Sequence, residues 1–95
     1  MLEAVDEGLL ILGESGRQAI YFHLQNLYSL KKEDIPNNLK VFADGLRKIF
    51  GQGAEVIEKR TIKTLYNKLG INYEEKRKLD FLDYVENAKK NVAAL

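Results

Sequence analysis

Between residues 38 and 50 the chain sets Leu39, Phe42, Ala43, Leu46, Ile49 and Phe50 at intervals of three and four, with Lys40, Asp44, Arg47 and Lys48 on the other side. That repeat matches the 3.6-residue helical turn and gathers the apolar side chains into one stripe. A half-buried strand would need alternation with a period of two, which no segment sustains. The expectation is an all-α fold in which such stripes meet around one core.

The remaining segments divide in the same way. A first helix is expected from about Leu2 to Leu12, with Leu2, Val5, Leu9 and Leu12 on its stripe and Gly13 as its left-handed stop. Ser15-Gly-Arg-Gln18 has the S-x-x-Q capping-box spacing, so a second helix is expected to start there and run to about Tyr28. Its apolar side would carry Ile20, Leu24 and Leu27, with Tyr21 and Tyr28 beside them. Ser29 to Pro36 reads as a polar connection, and Pro36 disfavours a helical Ile35. Gly51-Gln52-Gly53 breaks the third helix. A fourth is expected over Ala54 to Leu69 with Ile57, Thr61, Ile62, Leu65 and Leu69 inward and Gly70 as its stop. Asn72 to Glu75 offers a cap for a short extra turn, and a last helix over Leu79 to Ala94 would bury Phe81, Tyr84, Val85, Ala88 and Val92. Ninety-five residues with linkers this short describe one compact domain, residues 1–95, built as a bundle of about five helices.

Several chemistries are excluded at the outset. Without cysteine there is no disulfide and no thiolate metal site, which fits a reducing cytoplasm. The start lacks a basic segment followed by a long apolar run, and no apolar run exceeds the four residues of Leu9 to Leu12, so neither a signal peptide nor a membrane span is expected. There is no P-loop, dinucleotide fingerprint, nucleophile elbow, zinc-protease helix or calcium loop. A single histidine rules out a paired-His site, and no cofactor or metal is expected.

Two polar residues lie where apolar ones would be expected. His23 falls between Ala19 and Leu27 at the edge of the second helix's stripe, where an imidazole donating to a backbone carbonyl is the plain reading. A catalytic one needs a nucleophile or ligand beside it. Glu58 stacks between Leu65 and Leu69 inside an apolar arc, and a buried carboxylate needs a partner. Its place near a helix N-terminus favours a negative charge, and Arg17 on the inward side of the second helix is the expected counter-ion. Asp80, Asp83, Glu86 and Asn87 line one side of the last helix, a convex surface whose oxygens do not converge on a cation.

Charge is unevenly spread. Residues 1–36 carry a net −3, residues 37–70 a net +4, and residues 71–95 balance. Lys59, Arg60 and Lys63 share the outward side of the fourth helix, so helices three and four offer a candidate face for nucleic-acid phosphates. Phe22, Val41 and Val56 fall off their helices' core stripes. A central, doubly covered second helix would bury Phe22; otherwise the three are exposed apolar residues that mark a surface for another protein.

The stretches Leu9 to Leu24 and Ile49 to Gly70, with Asp34-Ile-Pro36 and Asp80 to Tyr84, resemble a small archaeal domain family of unknown function, also called the Nitrosopumilus output domain. The likeness lies in the patterns G-x-S-x-x-x-A-I-Y-x-H-L and F-G-x-G-A-x-x-I-E. It implies an all-helical domain in an archaeal cytosol acting as a signal-output or interaction module, and it places His23 and Glu58 inside the shared motifs without giving either a role. The expectation is a non-enzymatic interaction or regulatory module that binds another protein as a monomer or weak homo-oligomer. The alternatives are nucleic-acid binding through Lys59, Arg60 and Lys63, and a small enzyme built on His23 and Glu58.

Overall fold

The computed structural model describes the backbone of residues 1–74 and 79–93. Among these residues five α-helices form: α1 (Leu2–Leu9), α2 (Gly13–Tyr28), α3 (Leu39–Phe50), α4 (Ala54–Leu69) and α5 (Phe81–Ala93). No strand occurs among the described residues, which form an all-α bundle, as their periodicity requires. Three short 3-10 segments, Leu10–Leu12, Lys32–Asn37 and Gly51–Gly53, connect them.

The bundle is organised by α1 lying on α4. Gly8 faces Thr61, and a β-carbon at Gly8 would stand 2.0 Å from Thr61 Oγ1 and 3.2 Å from the Ile57 carbonyl oxygen. Thr61 is fully buried and donates its hydroxyl to that same carbonyl at 2.8 Å, so no polar atom is stranded at the contact. On the other side, a β-carbon at Gly45 would meet Leu24 Cδ2 at 2.8 Å, which fixes α3 against α2. Leu9, Leu24, Ile35, Phe42 and Leu46 lose all or nearly all solvent contact between these helices. Tyr66 of α4 donates its hydroxyl to the Tyr84 carbonyl of α5 at 2.7 Å.

The elements differ from the expectations in instructive places. The first helix ends at Leu9, and Gly13, with φ 81°, joins a 3-10 turn to α2. Because that turn already redirects the chain, α2 begins two residues before Ser15, and no side-chain cap is made there. The connection after Tyr28 is less polar than its composition suggests: Leu30 and Ile35 drop into the core, and Pro36 sits inside a 3-10 segment that packs on α1 and α3. Gly70 (φ 68°) stops α4 as expected, with Ile71 N–H donating to the Tyr66 carbonyl at 3.0 Å. Ile57, Thr61, Ile62 and Leu65 are buried, whereas Leu69 is exposed beside that stop. Glu75 and the Val92 side chain lie outside the described residues.

The last helix starts at Phe81 because Asp80 caps it. Asp83 N–H donates to Asp80 Oδ1 at 2.9 Å, and Asp80 N–H donates to Asp83 Oδ2 at 3.2 Å, a reciprocal pair that satisfies two amides. Asp80→Ala is expected to cost about 1 kcal/mol, read as a lower urea midpoint with an unchanged slope.

Candidate interaction surface

Helix α2 has two sides of different chemistry. One side presents Ile20, Tyr21 and Leu24 to the core, with Arg17 and Tyr28 half-buried beside them. Arg17 donates to Glu14 at 2.6 Å and lies 3.7 Å from Asp6, and Lys32 lies 3.5 Å from Asp6. The Tyr21 hydroxyl donates to the Asp6 carboxylate, and its ring lies under the Lys32 ammonium at 5.1 Å. This cluster ties α1, α2 and the Lys32–Asn37 segment together. Burial first, then the bonded Asp6 carboxylate, push the Tyr21 hydroxyl far above its ordinary range, so it stays protonated and serves as a donor.

The opposite side of α2 faces solvent. Phe22 is 66% exposed and Leu27 is 65% exposed, and with Ala19, His23 and Asn26 they share one face at helical spacing. Phe22 and His23 meet edge to face, with ring centroids 6.2 Å apart. Two expectations are corrected here. Leu27 does not belong to the core stripe, because Gly45 admits α3 against Leu24 and Tyr28 and turns Leu27 outward. His23 is exposed and is not held against a backbone carbonyl. From Gln18 to Leu30 the sequence carries no Asp, Glu, Lys or Arg, thirteen positions in a chain that is 31% charged. A core-facing helix needs charge depletion on one side only, so an uncharged outer side was the signal for this face.

The three off-stripe apolar residues are all exposed but lie on three helices. Phe22 points away from the side of α2 that meets α3, whereas Val41 (38% exposed) belongs to α3. Val56 (57% exposed) falls on the outward stripe of α4 with Lys59, Arg60 and Lys63. Leu10, Ile11, Leu27 and Leu69 are exposed as well, and among the large apolar side chains described Phe22 and Leu27 are the most exposed.

Lys59, Arg60 and Lys63 are exposed together, as their spacing predicts. Lys63 sits over the Tyr73 ring at 5.8 Å. A shallow cleft of about 270 Å³ runs along this side, lined by Glu7, Arg60, Lys63, Thr64, Asn67 and Lys68. Lys68 is paired with Glu3 at 3.1 Å and with Glu7 at 3.7 Å, so the acidic α1 offsets part of the basic α4. A second cleft, about 360 Å³, opens beside Tyr66 and Tyr84. Neither cleft is lined by His23 or Glu58.

Glu58 is buried at the α3–α4 contact and pairs with Arg47, whose Nη2 donates to Oε2 at 3.2 Å. Arg17, the expected counter-ion, is committed to Glu14 and Asp6 instead. Glu58 Oε1 is buried without a hydrogen-bond partner. Burial pushes the Glu58 carboxyl up from its ordinary range; Arg47 opposes this, while Glu55 and Asp80 reinforce it. Glu58 and His23 are not brought together: one is sealed between α3 and α4, the other stands on the outer face of α2. The acidic side of α5 is solvated, and the described residues contain no cluster of three or more carboxylate or imidazole groups able to hold a metal. None of the described helices is long and apolar enough to cross a membrane.

No family model, curated protein or solved structure matches this chain.

Proposed function

We propose that this chain is a protein-interaction module, acting by binding, whose contact surface is the outer face of α2. The observation that supports it is the pair of two-thirds-exposed apolar side chains, Phe22 and Leu27, on a helix face without charge. Interface cores are depleted in charged residues and enriched in aromatic ones, and burying one exposed Phe contributes about 1.5–3 kcal/mol. A regulatory or signal-output role in an archaeal cytoplasm agrees with the motif resemblance and is part of the same reading.

The test is affinity capture of the tagged chain from its native lysate at physiological salt, with and without nuclease. Capture of one protein, unchanged by nuclease and lost on Phe22→Glu with Leu27→Glu, is the expected result. The triple change Lys59→Glu, Arg60→Glu and Lys63→Glu is expected to leave it intact. Recovery of nucleic acid that disappears with the triple change and falls steeply with salt would transfer the function to α4.

A further inference from the structure

We infer that the cleft between α1 and α4 is a binding site for a phosphate group, carried as inorganic phosphate or as a small phosphate monoester. The site is separate from the outer face of α2, and neither reading depends on the other.

Arg60, Lys63, Thr64 and Asn67 stand at the i, i+3, i+4 and i+7 positions of α4, the spacing that gathers side chains on one helix face. The close approach of Gly8 to Thr61 lays α1 along the edge of that face. Glu7 thereby becomes the facing wall of the cleft, and Thr64 is left only 8% exposed while still lining it.

The cleft collects donors that lack acceptors. Of the three arginines described, Arg17 and Arg47 are bound to carboxylates, whereas Arg60 has no carboxylate partner among the described residues. Lys63 has none among them either; its ammonium lies over the Tyr73 ring. The Thr64 hydroxyl and the Asn67 side-chain amide make no hydrogen bond to any described residue. Polar groups as enclosed as Thr64 are ordinarily bonded, so a hydroxyl left open to a cleft is a donor available to a ligand.

Charge and size select the ligand. Lys68 is held between Glu3 and Glu7, which leaves Arg60 and Lys63 as the uncompensated charges of the cleft. A cation would be repelled, and an apolar molecule would strand the donors. A guanidinium fork, an ammonium, a hydroxyl and an amide together match a compact dianion with several acceptor oxygens, and arginine binds phosphate through two parallel hydrogen bonds. The cleft, about 270 Å³, is smaller than the roughly 300–1,000 Å³ of pockets that enclose drug-sized ligands, so it suits the phosphate group and little beyond it. A nucleic-acid strand needs a basic track for successive phosphates, and here Glu3 and Glu7 stand across its path.

Amide chemical shifts of the full ¹⁵N-labelled chain test it, titrated separately with sodium phosphate, glycerol 3-phosphate and a single-stranded oligonucleotide lacking a terminal phosphate. Sodium chloride holds the ionic strength constant. The expected result is saturable shifts centred on residues 60–67 with one or both phosphates. Saturation by inorganic phosphate assigns the free ion as a ligand, and saturation by glycerol 3-phosphate alone assigns the monoester. Arg60→Gln and Thr64→Val are each expected to weaken binding about tenfold, since each removes a charge-assisted hydrogen bond. Lys40→Gln removes the same unit charge from an exposed position on α3 and leaves binding unchanged. Arg60 is exposed, so its replacement keeps the fold, which circular dichroism melts of each variant verify. Shifts that grow without saturating, or that Lys40→Gln reduces as much as Arg60→Gln does, overturn the site. An oligonucleotide that binds more tightly than either phosphate, and loses that affinity with Arg60→Gln, overturns the compact ligand in favour of a strand.

Discussion

Gly8→Ala is expected to lower the stability of the fold by about 2–3 kcal/mol, seen as a fall in midpoint temperature of about 10–15 °C. Alanine normally strengthens a helix relative to glycine by up to about 1 kcal/mol, so the sign of the effect is itself informative. The added methyl would stand 2.0 Å from Thr61 Oγ1 and 3.2 Å from the Ile57 carbonyl. Neither atom can yield easily. The hydroxyl is fully buried and bonded to that carbonyl, and the carbonyl is backbone within α4. α1, whose Ala4, Val5 and Leu9 are fully buried, must therefore move away from α4.

Thr61→Ala should partly rescue Gly8→Ala, with a coupling of at least about 1 kcal/mol in the double-mutant cycle, because it removes the nearest atom. Gly45→Ala makes a contrast. There the nearest atom is Leu24 Cδ2 at 2.8 Å, the far end of a flexible side chain, so a loss below about 1.5 kcal/mol is expected. Stability of Gly8→Ala equal to the parent would mean that α1 does not approach α4 this closely.

Gly8 also shows where sequence reasoning stops. Helices α3 and α4 were legible almost to the residue because each has a single apolar stripe and a glycine at its C-terminal end. Helix α2 was harder, since Ile20, Leu24 and Leu27 satisfy the same periodicity as Ile20, Leu24 and Tyr28. Which third residue goes inward depends on where Gly45 of α3 presses, and no local pattern in α2 contains that. The uncharged run from Gln18 to Leu30 is present in the sequence, but it gains meaning only once Leu27 is known to face outward. Glu58 stood out as anomalous from its position alone. Its partner did not, because Arg47 is on the polar side of α3 and becomes a neighbour only through the way α3 crosses α4. Burial of Leu30 and Ile35 likewise follows from where the Lys32–Asn37 turn lands on α1 and α3, which turn chemistry does not specify.

Glu58→Gln is expected to shift the stability difference between variant and parent in the variant's favour as pH rises from 4 to 8. Burial holds the folded-state carboxyl above its ordinary range, so near and above pH 4.5 the native chain binds more protons than the unfolded chain. Stability from this group is therefore fully present below about pH 4.5 and is lost as pH rises through the folded value. Glutamine cannot ionise and removes that loss. Arg47 is half-exposed and rehydrates cheaply when its partner becomes neutral. Glu14, whose carboxyl is held down by Arg17, has the opposite dependence but is exposed and common to both proteins, so it cancels in the difference. Urea midpoints of the two proteins between pH 4 and pH 8 measure this difference directly. A gap that widens with pH means that desolvation of the carboxylate outweighs its attraction to Arg47. A glutamine variant less stable at pH 7 than at pH 4, relative to the parent, means that the ion pair dominates, and Glu58 would then be a clamp holding α3 to α4.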